Sequence, residues 1–240
     1  MYSDNPLLIS HSFLAAIGTR LFVHHQDRIP ETGPVLVVSN HRSFMDAPVL
    51  MASVERPIRF ACHHYMGQVP VMREIVTRLG CFPLEERGHR QQQFFQQAIP
   101  LLQGQQMVGV FPEGGQPMVK LTQRDEMVKF HKGFAHLALR APVQDLAILP
   151  VAIASVEEMV NSAFPLKFLS LFDPSEPLFD QPGWHPLVVY RRVNVLIGRP
   201  YWIGDRDREQ YQGKQAKAIV TAITQHCQTE IAQLLHRGCY

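Results

Sequence analysis

The sequence lacks the cysteine spacing, the strong net charge and the long apolar runs that mark several common classes of protein. Its cysteines, Cys62, Cys81, Cys227 and Cys239, form no C-x-x-C pair, so we expect free thiols in a reducing compartment. A formal net charge of only +2 does not support a nucleic-acid-binding protein, which should carry a concentrated basic face. It is compatible with weak attraction to an anionic membrane surface. The twelve histidines have no ligand spacing beside them, so we predict no metal site.

The longest mostly apolar stretch is residues 6–23, which is too short and too interrupted for a membrane-spanning segment. It also lacks the basic start of a secretory signal. Apolar side chains at helical spacing predict an amphipathic helix there, with one face formed by Leu7, Leu14, Ile17 and Leu21. Two interpretations stay open: a first helix that packs on the core, and an interfacial helix that rests on lipid.

Strand-like and helix-like stretches alternate along the remaining chain, which predicts one α/β domain over residues 1–240. We expect a largely parallel central sheet flanked by helices. The predicted strands cover residues 35–39, 57–62, 81–84, 107–111, 146–153 and 187–198. The predicted helices cover residues 47–54, 63–79 (broken near Pro70), 89–103, 132–140 and 213–237. Residues 116–131 form a polar loop, a candidate substrate lid, and residues 161–187 a proline-broken segment that covers the core or faces a membrane.

A histidine and an aspartate lie where the first buried strand gives way to a helix, in the stretch Asn40-His41-Arg42-Ser43-Phe44-Met45-Asp46. A histidine beside a carboxylate is an arrangement that serves general-base catalysis, because the carboxylate fixes the imidazole tautomer and stabilises the imidazolium. The alternative is a structural one, a capping histidine and a surface aspartate. A second motif is needed to choose between them.

That second motif is Phe111-Pro112-Glu113-Gly114-Gly115, where another apolar strand runs into a glycine turn that leaves backbone N–H groups exposed. The two motifs together, in this order, resemble the glycerolipid acyltransferases, the lysophosphatidate and glycerol-3-phosphate acyltransferases. Residues 80–87 and 148–153 match two further blocks of that family, and the resemblance covers roughly residues 20–200.

The resemblance implies a glycerol-3-phosphate acyltransferase-like fold and a site formed by the catalytic residues His41 and Asp46. It implies that His41 is the general base and that Asp46 orients it. It further implies acceptor or substrate contacts by a set of residues from three blocks, namely Arg87, Glu113, Gly114, Gly115 and, more weakly, Lys132. Arg87 and Lys132 are the candidates for binding a phosphate, and Glu113 either binds the acceptor or organises the site.

The expected reaction moves a fatty acyl group from acyl-CoA or acyl-carrier-protein, as co-substrate, to a lysophospholipid hydroxyl, with no cofactor. The acceptor expected most simply is 1-acylglycerol-3-phosphate, in phospholipid synthesis or remodelling. The lipid substrates imply a peripheral protein on the cytoplasmic face of a membrane.

One departure from the family pattern bears on the acceptor. The family usually continues the Glu-Gly block with an arginine, whereas this chain has Gln116-Pro117. A different lysolipid, or transacylation between phospholipids, therefore stays open. Two other classes also stay open: a non-catalytic lipid-binding homologue, and a hydrolase that uses the same His/Asp pair on water.

Overall fold

The computed structural model describes residues 5–62, 64–68, 70–84, 90–171, 174 and 176–239 of the chain. Within these residues the strands form one mixed sheet, most of whose neighbouring pairs are parallel, and helices pack on both of its faces. The prediction of an α/β fold with a largely parallel central sheet is therefore confirmed.

The elements alternate along the chain. The strands are β1 (Arg20–His24), β2 (Val35–Ser39), β3 (Ile58–Cys62), β4 (Phe82–Pro83), β5 (Met107–Val110), β6 (Ala147–Pro165), β7 (Trp184–Ile197) and β8 (Tyr201–Trp202). The helices are α1 (Pro6–Ile17), α2 (Asp46–Val54), α3 (His64–Gln68), α4 (Pro70–Arg78), α5 (Arg90–Gln103), α6 (Gln116–Val119), α7 (Gly133–Arg140), α8 (Leu166–Leu169), α9 (Asp205–Gln212) and α10 (Ala216–Gly238).

Strand β2 lies in the middle of the sheet, whose order is β1-β7-β6-β2-β5-β3-β4, with β8 beside β6. It pairs in parallel with β5 on one side and with β6 on the other. Its residues Val35–Val38 are fully buried, since other strands flank both edges and helices cover both faces. This explains why β2 is a continuous apolar run rather than an alternating one.

The helices divide the core into two layers. Helices α1 and α2 cover one face of the sheet, where Val49, Leu50 and Met51 of α2 are fully buried. Helices α5, α7 and α10 cover the other face. The carboxyl ends of β2 and β5 lie side by side, since Val38 is paired with Val110. In such sheets the reacting groups gather at the carboxyl ends of the strands, and the loops that carry both motifs begin there.

The N-terminal segment differs from the predicted helix over residues 6–23. Helix α1 ends at Ile17, because Gly18 adopts the left-handed backbone conformation that closes a helix. The chain then enters β1, which pairs in parallel with β7, so the prediction of a helical face that includes Leu21 is wrong. Among the described residues, every helix falls short of the length and apolar character that crossing a bilayer requires.

The region expected to be irregular, residues 161–187, is also largely regular. Strand β6 continues to Pro165, well beyond the predicted end at 153, and pairs antiparallel with β7. Beyond Val151, β6 has no pairing with β2, and before Arg192, β7 has no pairing with β1. The outer parts of the two strands, from Glu158 on β6 and up to Tyr190 on β7, therefore form a two-stranded arm. The polar helix α9 was not predicted, and the loop 116–131 begins with the short helix α6.

Candidate active site

His41 and Asp46 occupy the turn between β2 and α2, and their side chains are in direct contact. His41 Nδ1 lies 2.8 Å from Asp46 Oδ2. Asp46 is the first residue of α2 and is fully buried, whereas 18% of the His41 side chain is exposed. An ionised carboxylate can only accept hydrogen bonds, so Nδ1 carries the ring proton. Nε2 is then left as the basic nitrogen, and no group in the described part of the chain hydrogen-bonds to it.

Asp46 is held by three further donors besides the histidine. Its Oδ2 accepts hydrogen bonds from the backbone N–H groups of Arg42, at 2.7 Å, and Ser43, at 2.9 Å. Its Oδ1 accepts one from the hydroxyl of Tyr190, at 2.7 Å. Burying a carboxylate is costly unless such partners replace water. The turn is therefore folded around the carboxylate, which fixes the position of the neighbouring imidazole.

The imidazole of His41 is also stacked on an aromatic pair. The ring of Phe111 lies nearly parallel to it, with centroids 4.2 Å apart, and the ring of Phe60 stacks on Phe111 in turn. His185, on β7, is buried close by. Burial lowers the pKa of His185, and the proximity of His41 lowers it further. One face of the His41 ring is therefore covered by aromatic side chains, and a second imidazole lies near it.

Glu113 joins the two motifs to each other. Its side chain is buried, its Oε1 accepts a hydrogen bond from the backbone N–H of His41 at 2.9 Å, and its Oε2 accepts one from Val128 at 2.6 Å. Burial raises the pKa of the Glu113 carboxyl, although these two hydrogen bonds oppose the shift. Both carboxylate oxygens are occupied, so Glu113 organises the backbone in this state of the protein.

The glycine turn that follows Glu113 is tight. Gly114 has a φ of +68°, which an L side chain rarely adopts, and its N–H donates to the Phe111 carbonyl. The N–H of Gly115 has no backbone acceptor among the described residues. Of the two predicted glycine contacts, only the amide of Gly114 is therefore bound to the backbone in the part of the chain that the structure describes.

Arg42, the residue after the histidine, binds the protein itself. Its guanidinium contacts both carboxylate oxygens of Glu158, on the β6–β7 arm, at 2.8 and 3.2 Å. It also donates to the carbonyl oxygens of Thr122 and Gln123. Arg124, from the same loop, lies 3.4 Å from Glu158. The polar loop expected as a lid is thus tied to the turn that carries His41.

Of the two predicted phosphate ligands, only Lys132 is among the described residues. Arg87 is outside the described residues. The Nζ of Lys132 donates to Thr221 at 2.8 Å and lines a cleft of about 450 Å³ between α7, α9 and α10, together with His136 and Arg140. No described contact joins Lys132 to His41. Within the described residues, no group of three or more His, Cys, Asp and Glu side chains could hold a metal ion.

Several residues of the site were not singled out from the sequence, namely Tyr190, Glu158, His185 and Phe111 in a stacking role. Tyr190 and Glu158 contact the His41 turn from more than a hundred positions along the chain. Neither lies in a recognisable motif, and only the pairing of β6 with β7 brings them to the site. No local signal in the sequence could have identified them.

Comparison with known proteins places this geometry in context. A model of the acyltransferase family matches residues 20–154, which is more than half of the chain. The chain is 26% identical over 204 residues to N-acylphosphatidylethanolamine synthase of Arabidopsis thaliana, covering 78% of this chain and 65% of that protein. It is 28% identical over 203 residues to an uncharacterised protein of Mycobacterium leprae, covering 78% of this chain and 52% of that protein. The chain thus spans about half to two thirds of the length of these curated relatives.

Among solved structures, the chain resembles the 1-acyl-sn-glycerophosphate acyltransferase PlsC from Thermotoga maritima. The TM-score is 0.61 at 16% identity, over 97% of this chain and 77% of that chain. At this identity the likeness shows a shared fold.

Proposed function

We propose that this chain, which belongs to the acyltransferase family, moves a fatty acyl group from an acyl thioester to the hydroxyl of a lysophospholipid. The observation that carries the proposal is the contact between His41 Nδ1 and Asp46 Oδ2 at 2.8 Å, which leaves Nε2 as the basic nitrogen of a partly exposed side chain. A base in this arrangement suits proton abstraction from an alcohol. No serine or cysteine nucleophile is needed.

The reaction follows from that geometry. Nε2 of His41 takes the proton of the acceptor hydroxyl, and the oxygen attacks the carbonyl carbon of the thioester. The tetrahedral intermediate then collapses, the carbon–sulfur bond breaks, and the departing thiolate takes the proton back from His41. Asp46 stabilises the imidazolium in between, and it is held in place by its own four hydrogen bonds.

The oxyanion of the intermediate requires preorganised donors, each worth roughly 3–4 kcal/mol in comparable enzymes. The amide of Gly115 is our candidate, since Glu113 holds the glycine turn against the His41 backbone. Arg87 remains our proposal for the acceptor phosphate. Lys132 is a weaker one, because its ammonium group is bound to Thr221.

Two acceptors are favoured by different observations. The family blocks favour 1-acylglycerol-3-phosphate. The relative named N-acylphosphatidylethanolamine synthase, together with Gln116 in place of the arginine usual in the family, favours the amine of phosphatidylethanolamine. The same base serves both, because an amine that attacks a thioester must also lose a proton. The donor is acyl-CoA or acyl-carrier-protein.

We also propose that the protein works at the cytoplasmic face of a membrane as a peripheral protein, since its lipid substrates are poorly soluble in water. Large apolar side chains that are exposed support this, among them Leu8 on α1, Trp184 on β7 and Leu171 after α8. Aromatic and aliphatic side chains of this kind favour the lipid–water interface. The location can be tested by measuring binding of the protein to lipid vesicles. We expect substitution of these side chains by alanine to release the protein from the vesicles.

The test of function is thiol release from a long-chain acyl-CoA, with and without lysophosphatidate or phosphatidylethanolamine. We expect release that depends on an acceptor and that falls about 10²–10⁴-fold in His41→Ala, the usual contribution of a general base. His24→Ala is the matched control, because His24 is exposed on β1.

Each other outcome has a distinct meaning. Equal rates in the wild type and His41→Ala would refute the role of His41. Free fatty acid without an acceptor would indicate a hydrolase. If acyl-CoA binds but no thiol is released, the assay would be repeated with an acyl-carrier-protein donor. If no acyl group is transferred from that donor either, the result would support a non-catalytic lipid-binding homologue.

A further inference from the structure

We propose that Tyr190 is a positioning residue for the catalytic pair, acting on His41 through Asp46; the inference rests on the proposed role of His41 as base. The chain of hydrogen bonds runs from the Tyr190 hydroxyl to Asp46 Oδ1, at 2.7 Å, and from Asp46 Oδ2 to His41 Nδ1, at 2.8 Å. Tyr190 lies outside both motifs and outside the residues that the family model matches.

Tyr190 occupies the one oxygen of Asp46 that nothing else holds. Oδ2 is fixed by His41 and by two backbone N–H groups, whereas Oδ1 accepts only the tyrosine hydroxyl among the described residues. The carboxylate and the tyrosine are both fully buried, so neither contacts solvent. Without the hydroxyl, Oδ1 would be an unsatisfied buried acceptor, and the carboxylate plane would lose its second anchor.

The tyrosine is itself rigidly held. Its backbone N–H donates to the sulfur of Met45, at 3.3 Å, and two positions earlier the Val188 carbonyl accepts the hydroxyl of Ser43, at 2.6 Å. Strand β7 therefore contacts the turn between His41 and Asp46 from two alternate residues, Val188 and Tyr190. A donor on a paired strand is placed more precisely than one on a loop.

The hydroxyl also stays a donor over the working range of an enzyme. Burial raises the pKa of Tyr190 well above its ordinary value, and the charge of Asp46 and the hydrogen bond to it raise that pKa further. Deprotonation would place two negative oxygens in contact within the core. Tyr190 therefore cannot act as a proton acceptor, and its contribution to the site is orientation and hydrogen bonding.

The test is Tyr190→Phe, which removes one oxygen atom and keeps the buried ring. A hydrogen bond to a charged group is strong enough that its loss should lower kcat about tenfold to a hundredfold. KM should change less than about twofold, since the tyrosine touches no substrate. Tyr201→Phe is the matched control, because the Tyr201 hydroxyl also donates to a carboxylate, that of Asp207, at 3.0 Å.

The pH profile separates positioning from a merely structural role. In Tyr190→Phe, the Asp46 carboxylate loses one of the hydrogen bonds that stabilise its negative charge. It should therefore attract the imidazolium of His41 more strongly. The base is then protonated over more of the acid range, and the acid limb of kcat should move to higher pH. Four other titratable or charged groups face the chain of hydrogen bonds, and all are unchanged in the variant: Arg42, Glu113, Glu158 and His185.

One readout that needs no substrate keeps this inference distinct from the proposed function. The protonation midpoint of the His41 ring, followed by NMR and assigned by its absence in His41→Ala, should rise in Tyr190→Phe whether or not a substrate has been found. If the wild type turns over no thioester but this midpoint rises, the proposed function fails and the positioning role stands. The positioning role would be overturned if the midpoint in Tyr190→Phe equals that of the wild type, or if kcat of this variant equals the wild-type value. It would also be overturned if the activity of the variant falls only in proportion to the loss of folded protein at every pH.

Discussion

Replacing Arg42 by methionine should destabilise the protein strongly, although Arg42 touches no substrate in our proposal. Its side chain is 7% exposed, and that of its partner Glu158 is 3% exposed. The substitution leaves a buried carboxylate that has lost its bidentate partner, and two carbonyl groups of the loop at Thr122 and Gln123 lose their donors. Breaking a buried ion pair from one side costs about 3–5 kcal/mol.

That cost is a large share of the total. The free energy of unfolding of a single domain is about 5–15 kcal/mol. Each kcal/mol that is lost lowers the melting temperature of a chain of this length by about 2–4 °C. We therefore expect Arg42→Met to melt about 6–20 °C below the wild type. Part of the activity should be lost with it, because Arg42 ties the loop to the turn that carries His41.

The assay is urea unfolding followed by far-ultraviolet circular dichroism, on Arg42→Met, Glu158→Leu and the double variant. Arg78→Met is the matched control, since Arg78 also contacts a glutamate, Glu74, at 2.8 Å, but both side chains are more than half exposed. Exposed pairs of this spacing are worth about 0.3–0.5 kcal/mol. The double variant should lose less than the sum of the two single variants, because neither buried charge is left alone.

The effect should also depend on pH in one direction. Burial acts to raise the pKa of Glu158, but the hydrogen bonds and charges of Arg42 and its neighbours outweigh burial and hold that pKa below its ordinary value. A carboxyl whose pKa is lowered on folding stabilises the protein above its unfolded pKa, and this stabilisation is lost as the pH falls through the folded pKa. The gap between wild type and Arg42→Met should therefore narrow below about pH 5. A cost similar to that of Arg78→Met, or a gap that widens in acid, would refute the reasoning.

Two further substitutions test the frame of the site. Gly109→Ala would place its methyl group 2.2 Å from a ring carbon of Phe60 and 2.8 Å from Ile58, so we expect overpacking to cost about 1–3 kcal/mol or more in thermal unfolding; wild-type stability would contradict this. Glu113→Gln cannot accept both backbone N–H groups, and it should lose about 1–3 kcal/mol in urea unfolding. Because burial raises the pKa of Glu113, its ionisation should destabilise the wild type as the pH rises from the ordinary carboxyl pKa through the raised one. Identical pH dependence in wild type and Glu113→Gln would contradict that assignment.

Elements that depend on local pattern could be predicted from the sequence closely. The strand over 35–39 has the predicted bounds, and the helix predicted over 89–103 forms at Arg90–Gln103. In both, the side chains that face the core recur within a few residues, so the pattern and the contacts coincide. The same holds for His41 and Asp46, whose hydrogen bond joins residues only five positions apart.

The errors fall where pairing or capping, and not periodicity, decides the structure. Strand β6 continues into the arm and contains Glu157, Glu158 and Asn161, and these polar residues do not fit the pattern of a buried strand. The strand forms nevertheless, because β7 supplies the backbone hydrogen bonds. Helix α9 has almost no apolar residues. Its beginning is fixed instead by Asp207, which accepts a hydrogen bond from the Gly204 N–H at 3.0 Å.

The arm changes how a short motif should be transferred between proteins of this family. Glu158 binds Arg42, the Val188 carbonyl binds Ser43 and Tyr190 binds Asp46, so the β6–β7 arm holds the turn from 42 to 46. All three contacts come from beyond residue 154, where the family match ends. A chain that keeps the histidine and the aspartate but lacks such an arm would have the reacting groups without these three contacts to their turn. Two residues at the right spacing therefore identify the chemistry of the site, whereas its precision depends on contacts that a motif does not contain.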